Sequence, residues 1–405
     1  MSMISTRTAA SLTSMTWDAV IIGAGPAGSA IAAQLKRSLK RVLLVDRRTL
    51  PFHKLCGCCL SPQATTELDT LGVDLSSGGR PPDQLTRCTF RSSGIALQLN
   101  LSQMAVISRE RLDAQLIEHA MNCDVDFQGS TTIKKVEWDQ NTKLRLLHAE
   151  LLPSHRGDPV TIRSHAVVDA SGLPSTPRAK AAQRFFAPRI GLGAVLRDDQ
   201  FPLERGHLKM LIAPGGYCGL VRLENNCIDI AAALDVSSMH GRPPWQGVDA
   251  IFKHNSCDPP VGLPRATFIG KPALTRRSTL YDQRCYRVGD AAGYVEPLTG
   301  EGIGWALRGA RELAAAFEQV DPKQPDATQQ IGRRYSRGYW AALQRDFRRC
   351  RLLTLAVRNR HLWNLTMKAS RHAPALIHRI FPQATLHTDS HEDQDASPRQ
   401  KVEEL

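Results

Sequence analysis

Apolar positions along the chain change period several times, and each change marks an element. Residues 17–22 form a mostly apolar run, β-branched at its end, that stops in Gly23-Ala24-Gly25-Pro26-Ala27-Gly28. Alanine-rich helix formers follow, then a second apolar run over 41–45, so the pattern predicts strand, glycine turn, helix, strand. Residues 86–99 alternate as a hairpin whose turn is Arg91-Ser92-Ser93-Gly94. Ser108 stands as a helix N-cap, and the spacing after it turns Leu112, Leu116 and Ile117 inward. A short strand pair is expected around 125–127 and 133–138, and the run 166–169 ends in a turn at Gly172. Over 189–274 five alternating runs (190–196, 208–213, 217–223, 227–234 and 266–268) predict an antiparallel sheet. Beyond it a strand enters Gly289-Asp290, a second glycine loop follows, and Ile303, Ala306, Leu307, Ala310, Leu313, Ala314 and Phe317 fall on one buried helical face.

The first glycine stretch has a chemical reading. Gly23 permits the tight turn, Gly25 lets a pyrophosphate approach the backbone, and Gly28 lets helix and strand pack closely. The helix N-terminus, opened by Pro26 and Ala27, offers free N–H groups and a positive dipole end to phosphates. Asp46, at the end of the second strand, suits hydrogen bonds from a ribose. A simple nicotinamide dehydrogenase needs one phosphate loop, whereas this chain has a second far along the sequence. Two such loops predict one long ligand held along its length, as FAD would be.

Charge adds a different element. The chain has 52 Lys and Arg against 39 Asp and Glu, a net +13, and residues 331–381 hold twelve of those cations against the single acid Asp346. There Tyr335, Tyr339, Leu343 and Phe347 repeat every four residues, and Leu352, Leu355, Leu362, Trp363 and Leu365 carry the apolar content on through what read as two helices. Basic amphipathic helices suit an anionic membrane surface or an acidic carrier protein, and equally a helical cap with solvated arginines; nucleic acid is not expected as a partner. Cys56, Cys58 and Cys59 lack the spacing of a zinc site, so no metal is expected. No window has the ~20 unbroken apolar residues of a spanning helix, which places the protein in the cytoplasm or peripherally on a membrane.

The motifs together resemble the FAD-dependent monooxygenase and geranylgeranyl-reductase-like superfamily, of p-hydroxybenzoate hydroxylase-like fold, which also includes flavin-dependent halogenases. The resemblance rests on Gly23-x-Gly25-x-x-Gly28 with Asp46, Lys54-x-Cys56-Gly57, Arg109-x-x-Leu112-Asp113, Asp169-Ala170-Ser171-Gly172, Gly289-Asp290-Ala291-Ala292-Gly293 with Pro297, and Gly300-Glu301-Gly302-Ile303. It implies an α/β fold: a Rossmann-like FAD-binding domain of the glutathione-reductase type, an inserted antiparallel substrate domain and a C-terminal helical segment. The expected division is a disordered leader over 1–16, a cofactor domain over 17–80, 100–188 and 276–330, a β-rich substrate domain over 81–99 and 189–275, basic helices over 331–385, and a disordered acidic tail over 386–405. By the resemblance, FAD is bound noncovalently by both glycine loops, with Asp46 and its neighbour Arg47 at the adenosine ribose. Arg109 and Lys54 reach the cofactor, Asp290 takes the ribityl or pyrophosphate side, and the amides of 300–303 face the flavin pyrimidine edge. Cys56 and Pro297 are the candidate catalytic residues, with Cys56 either donating a proton or simply packing.

The implied activity is monooxygenation of a lipophilic, aromatic or polyketide small molecule with NAD(P)H as electron source. Reduction of carbon–carbon double bonds in a prenyl lipid is the alternative, and electron transfer without a small substrate is a third reading. The chain departs from the family pattern in three places. Ser171-Gly172 stands where monooxygenases usually carry Asp-Gly, the Trp-x-Trp-x-Ile-Pro run of halogenases is missing, and the closest stretch to the Tyr-x-Trp-x-Phe-Pro run of prenyl reductases is Gly216-Tyr217-Cys218-Gly219-Leu220-Val221.

Overall fold

The computed structural model describes residues 9–49, 54, 58–77, 79–151, 159–173, 189–239, 241–271, 276–296, 298, 300–372 and 384–386. In chain order the main elements of the first half are β1 (Thr16–Ile22), α1 (Pro26–Leu35), β2 (Val42–Val45), α2 (Pro62–Leu71), β3 (Asp83–Ser92), β4 (Ile95–Val106), α3 (Arg109–Asn122), β5 (Asp126–Gln128), β6 (Thr131–Asp139), β7 (Leu144–Leu151) and β8 (Pro159–Asp169). There follow β9 (Arg189–Arg197), β10 (His207–Ala213), β11 (Gly216–Arg222), β12 (Cys227–Asp235), α4 (Pro244–His254), β13 (Cys285–Arg287), α5 (Gly302–Glu318), α6 (Ala327–Arg358) and α7 (Arg360–His372).

Two sheets organise these elements. In the first, β13, β8, β1, β2 and β5 lie side by side in parallel, with β7 and β6 continuing antiparallel from β8. Parallel strands covered on both faces read as unbroken apolar runs, and Val42–Val45 is buried at every position. Helices α1, α3 and α5 pack into one core with this sheet through Ile31, Leu116, Leu307 and Phe317. Each such side chain contributes about 1.5–3 kcal/mol through its removal from water.

The second sheet runs Ile269–Lys271, β9, β12, β11, β10, β3, β4, then Ala384–Leu386. Its pairs are antiparallel except β10 with β3, which run parallel because two separate insertions meet there. β4 continues to Val106 and pairs with Cys59–Leu60, so residues 100–106, placed by sequence with the cofactor domain, belong to this sheet.

Other expectations change as well. The 125–127 and 133–138 strands do not pair with each other: β5 adds to β2, and β6 pairs with β7. The last run of the second sheet is displaced from 266–268 to Ile269–Lys271, and α4 interrupts the alternation with an apolar face of Val248, Ile251 and Phe252. Within the expected leader, Ala9–Thr13 is helical and Leu12 is buried, its carbonyl accepting from the Trp17 indole at 3.2 Å. The four-residue stripe Tyr335, Tyr339, Leu343 and Phe347 is buried against the first core. That face of α6 is therefore a cap, and no lipid can reach it.

Candidate functional site

Three sequence-distant turns meet at the carboxyl ends of β1 and β8. Gly23 adopts φ +103°, and a Cβ there would stand 2.5 Å from the Ala170 carbonyl oxygen; one on Gly28 would stand 1.8 Å from the Gly23 oxygen. The first loop thus fits against the middle motif and against its own helix with no room for side chains. Gly289, at φ +59°, would place a Cβ 2.9 Å from that of Ala27. The last motif therefore abuts the first turn of α1, where Pro26 and Ala27 are buried.

In front of Gly25 stand two cations. A Cβ on Gly25 would meet Lys54 Nζ at 3.5 Å and Arg109 Nη2 at 3.8 Å. Both are held by the buried Asp113: Lys54 Nζ lies 2.8 Å from Oδ2, and Arg109 Nη2 donates to Oδ1 at 2.9 Å. Asp46 is buried beside the same loop, its Oδ2 accepting from the Ala24 amide at 2.8 Å and its Oδ1 from the Arg48 amide at 3.0 Å. Arg47 beside it is exposed. Bare backbone at Gly25, a helix N-terminus and two cations form a cradle that fits a pyrophosphate.

The far loop is built on α5. Gly302 opens that helix, Ile303 is buried, and Gly300, at φ +73°, lies against Cys59. Asp290 is half-buried in a single turn, Gly289–Ala291, close enough to Tyr339 that its charge adds to burial in raising that phenol. Gly172 adopts φ +75° just past β8. Cys56, Gly57 and Pro297 lie outside the described residues.

Residues 16–321 match the FAD binding domain family. The chain belongs to that family. Its relatives include conditioned medium factor receptor 1 of Dictyostelium discoideum, 24% identical and covering 80% of this chain and 68% of the relative. They also include menaquinone reductase of Mycobacterium tuberculosis (27%; 75% and 77%) and digeranylgeranylglycerophospholipid reductase of Sulfolobus acidocaldarius (23%; 75% and 70%). Among solved structures, a flavoprotein/dehydrogenase from Cytophaga hutchinsonii superposes with TM-score 0.70 at 16% identity, covering 90% of this chain and 91% of that one. The flavin-dependent halogenase CmlS gives 0.64 at 19% identity, and this chain covers 64% of it. At those identities the structures speak for the fold alone. The protein has the fold of an FAD-dependent oxidoreductase.

FAD supplies the redox chemistry when bound. Gly25, Lys54 and Arg109 would hold its pyrophosphate, and Asp46 its ribose. The N-terminus of α5 would place amides and a positive dipole end where reduction adds negative charge.

Across from these loops the second sheet turns an apolar face inward. Phe90, Leu97, Met210, Ile212 and Tyr217 cluster there with Leu298 of the far loop and with Leu353, Val357, Trp363 and Met367 of α6 and α7. A buried ion knot pins these parts together. Glu296 Oε1 accepts from Arg189 Nη1 at 3.0 Å and its Oε2 from Arg358 Nη2 at 3.0 Å, while Arg189 Nε reaches Asp235 at 2.8 Å. Burial alone would lower the Arg189 guanidinium pKa, and the two carboxylates more than offset it.

Sequence reasoning left out Asp113 as a site residue, although its i, i+4 spacing from Arg109 on a helix was a usable signal. It also left out Glu296, whose partners lie 107 and 62 residues away and leave no local pattern. Glu301 is a third such residue. Burial pushes its carboxyl above the usual range, against a hydrogen bond with Ser61, at the mouth of α5.

Proposed function

We propose that the protein is an FAD-dependent monooxygenase acting on a lipophilic aromatic or polyketide-like small molecule, with NAD(P)H as electron source. The observation that carries the reading is the inward face of the second sheet, which is apolar from β3 to β11 and faces the far glycine loop. In the stretch closest to the prenyl reductases' Tyr-x-Trp-x-Phe-Pro run, Gly219 stands two residues after Tyr217 in place of a tryptophan. A Cβ there would be 2.8 Å from Met210 Sδ, so Met210 takes up the space. Flavin oxygenation needs the substrate held close and water kept out, and an apolar wall does both.

Double-bond reduction in a prenyl lipid is the second reading, favoured by the menaquinone reductase and digeranylgeranylglycerophospholipid reductase relatives. One experiment separates the two. Holoprotein is supplied with NADPH or NADH, labelled oxygen gas and candidate lipophilic phenols, quinones and prenyl lipids, and products are weighed by mass spectrometry. Label in the product supports oxygenation, and gain of hydrogen without label replaces it with reduction. Flavin that is reduced and reoxidised with no product from any candidate would favour an electron carrier.

The route of a lipophilic substrate is part of the same proposal. Among the described residues no helix is long and apolar enough to cross a membrane. Leu352 is 66% exposed, Leu362 46% and Leu365 64%, on the outside of the same two helices whose inner side chains join the apolar cluster. Arg348, Arg360 and Lys368 lie beside them on the exposed surface. Apolar side chains ringed by cations suit peripheral contact with an anionic membrane. The holoprotein should sediment with anionic liposomes at low salt and be released near ~0.5 M salt, where screening is strong. Leu362→Ser with Leu365→Ser should weaken that binding, and a protein that stays in the supernatant at every salt concentration would rule the contact out.

A further inference from the structure

The second sheet has another face. Alternation along β3 and β10 sends Cys88, Phe90, Met210 and Ile212 inward to the apolar cluster, so Arg87, Thr89, Arg91, His207 and Lys209 point the opposite way. With Gln98, and under the wall formed by residues 199–205, they line a cavity of about 710 Å³. We propose that this cavity binds a small phosphate-bearing organic anion at a site separate from the flavin cradle.

Arg87 pairs with Glu204, and Arg205 with Asp83 at 2.7 Å. Asp199 accepts from Asn226 Nδ2 at 2.6 Å and pairs with Arg197. Arg222 is buried and gives its guanidinium to the carbonyls of Asp198, Phe201, Leu203 and Asn226, and its charge adds to the Asn226 hydrogen bond in lowering the Asp199 carboxyl. Among the described residues neither Arg91 nor Lys209 has an ion pair, and Arg91 Nε is buried without a hydrogen-bond partner. Among the described residues Arg91 and Lys209 therefore face the concavity without an ion-pair partner, beside the paired Arg87.

His207 registers the same field. Burial, then the charges of Arg87 and Lys209, lower its imidazole to about 4. Near neutral pH the ring is uncharged and shares a 2.8 Å hydrogen bond with the Thr89 hydroxyl. Guanidinium forks, an ammonium, a hydroxyl and an amide suit the several oxygens of a phosphate better than a lone carboxylate. The volume exceeds what inorganic phosphate would fill and lies within the usual ~300–1,000 Å³ of small-molecule sites, which leaves room for an organic body. Because the inward face of the sheet serves the flavin side, a ligand here would sit behind the substrate wall and take no part in the redox step.

Calorimetric titration of FAD-loaded protein with inorganic pyrophosphate, at constant ionic strength, tests the site while the flavin cradle is filled. Saturable binding with an unchanged flavin spectrum is expected. Lys209→Gln and Arg91→Gln should each weaken it about tenfold to a hundredfold, the worth of a charge-assisted hydrogen bond. Arg91→Lys, which keeps the charge and most of the packing, should retain more affinity than Arg91→Gln, and this holds the test open if the glutamine variant fails to fold. No saturable heat in the wild type, equal affinity in all variants, or release of FAD on titration would each overturn the proposal.

Discussion

Asp113 and Glu296 each hold two cations, yet one set faces the nucleotide cradle and the other closes around a buried Arg189–Glu296 pair. Lys54 and Arg109 keep 21% and 11% of their side-chain surface exposed, and both stand in front of Gly25. Asp113 holds both beside the bare backbone of the loop, where an anionic pyrophosphate can meet them. Arg189 and Glu296 are 2% and 1% exposed at the centre of their knot, with Arg358 at 12% and Asp235 at 23% on its flanks. The same chemistry suits a ligand site where the cations stand beside bare backbone, and a structural clamp where the central Arg189–Glu296 pair is enclosed. A balanced buried knot adds little net stability but is costly to break, since one lost partner strands the others without water.

Three substitutions sharpen that contrast. The largest effect belongs to neither carboxylate. Gly28→Val should abolish flavin binding altogether, because a side chain would collide with the Gly23 carbonyl oxygen and separate α1 from β1; a folded variant with an unchanged flavin spectrum would refute the cradle. Next comes Glu296→Gln, which leaves Arg189 and Arg358 without their shared carboxylate. It should cost about 3–5 kcal/mol in denaturant unfolding. A loss below ~1 kcal/mol would show that solvent reaches the knot and that the distinction drawn from exposure fails. The third and smallest is Arg109→Gln at the cradle, where the loss should fall on ligand affinity while unfolding without FAD changes little.

How far the sequence could be read follows the range of the interactions. Gly23 and Gly28 are legible because a turn at positive φ and a helix start packed on the Gly23 carbonyl leave no room for a side chain. Ser108 was legible as a cap for a similar reason, its hydroxyl accepting from the Arg111 amide three residues on. The buried face of α5 was visible in its period. The parallel join of β3 to β10 was not, since each strand alternates in the same way whichever neighbour it finds. The stripe at Tyr335 and Tyr339 showed that a face of α6 must be covered without showing by what. In the structure α5 and the flavin-domain core cover it, which leaves Leu352, Leu362 and Leu365 to meet the surroundings.

The central claim is that the Asp113-held cations serve the pyrophosphate of FAD. Dissociation constants of FAD and of riboflavin, which lacks phosphate, measured on wild-type and Arg109→Gln apoprotein, test it most directly. The account predicts that the substitution weakens FAD by about tenfold to a hundredfold, the range for a hydrogen bond to a charged group, and leaves riboflavin affinity nearly unchanged. Equal loss for both ligands, or none for FAD, would contradict it and reduce Arg109 to a residue that only shapes its helix.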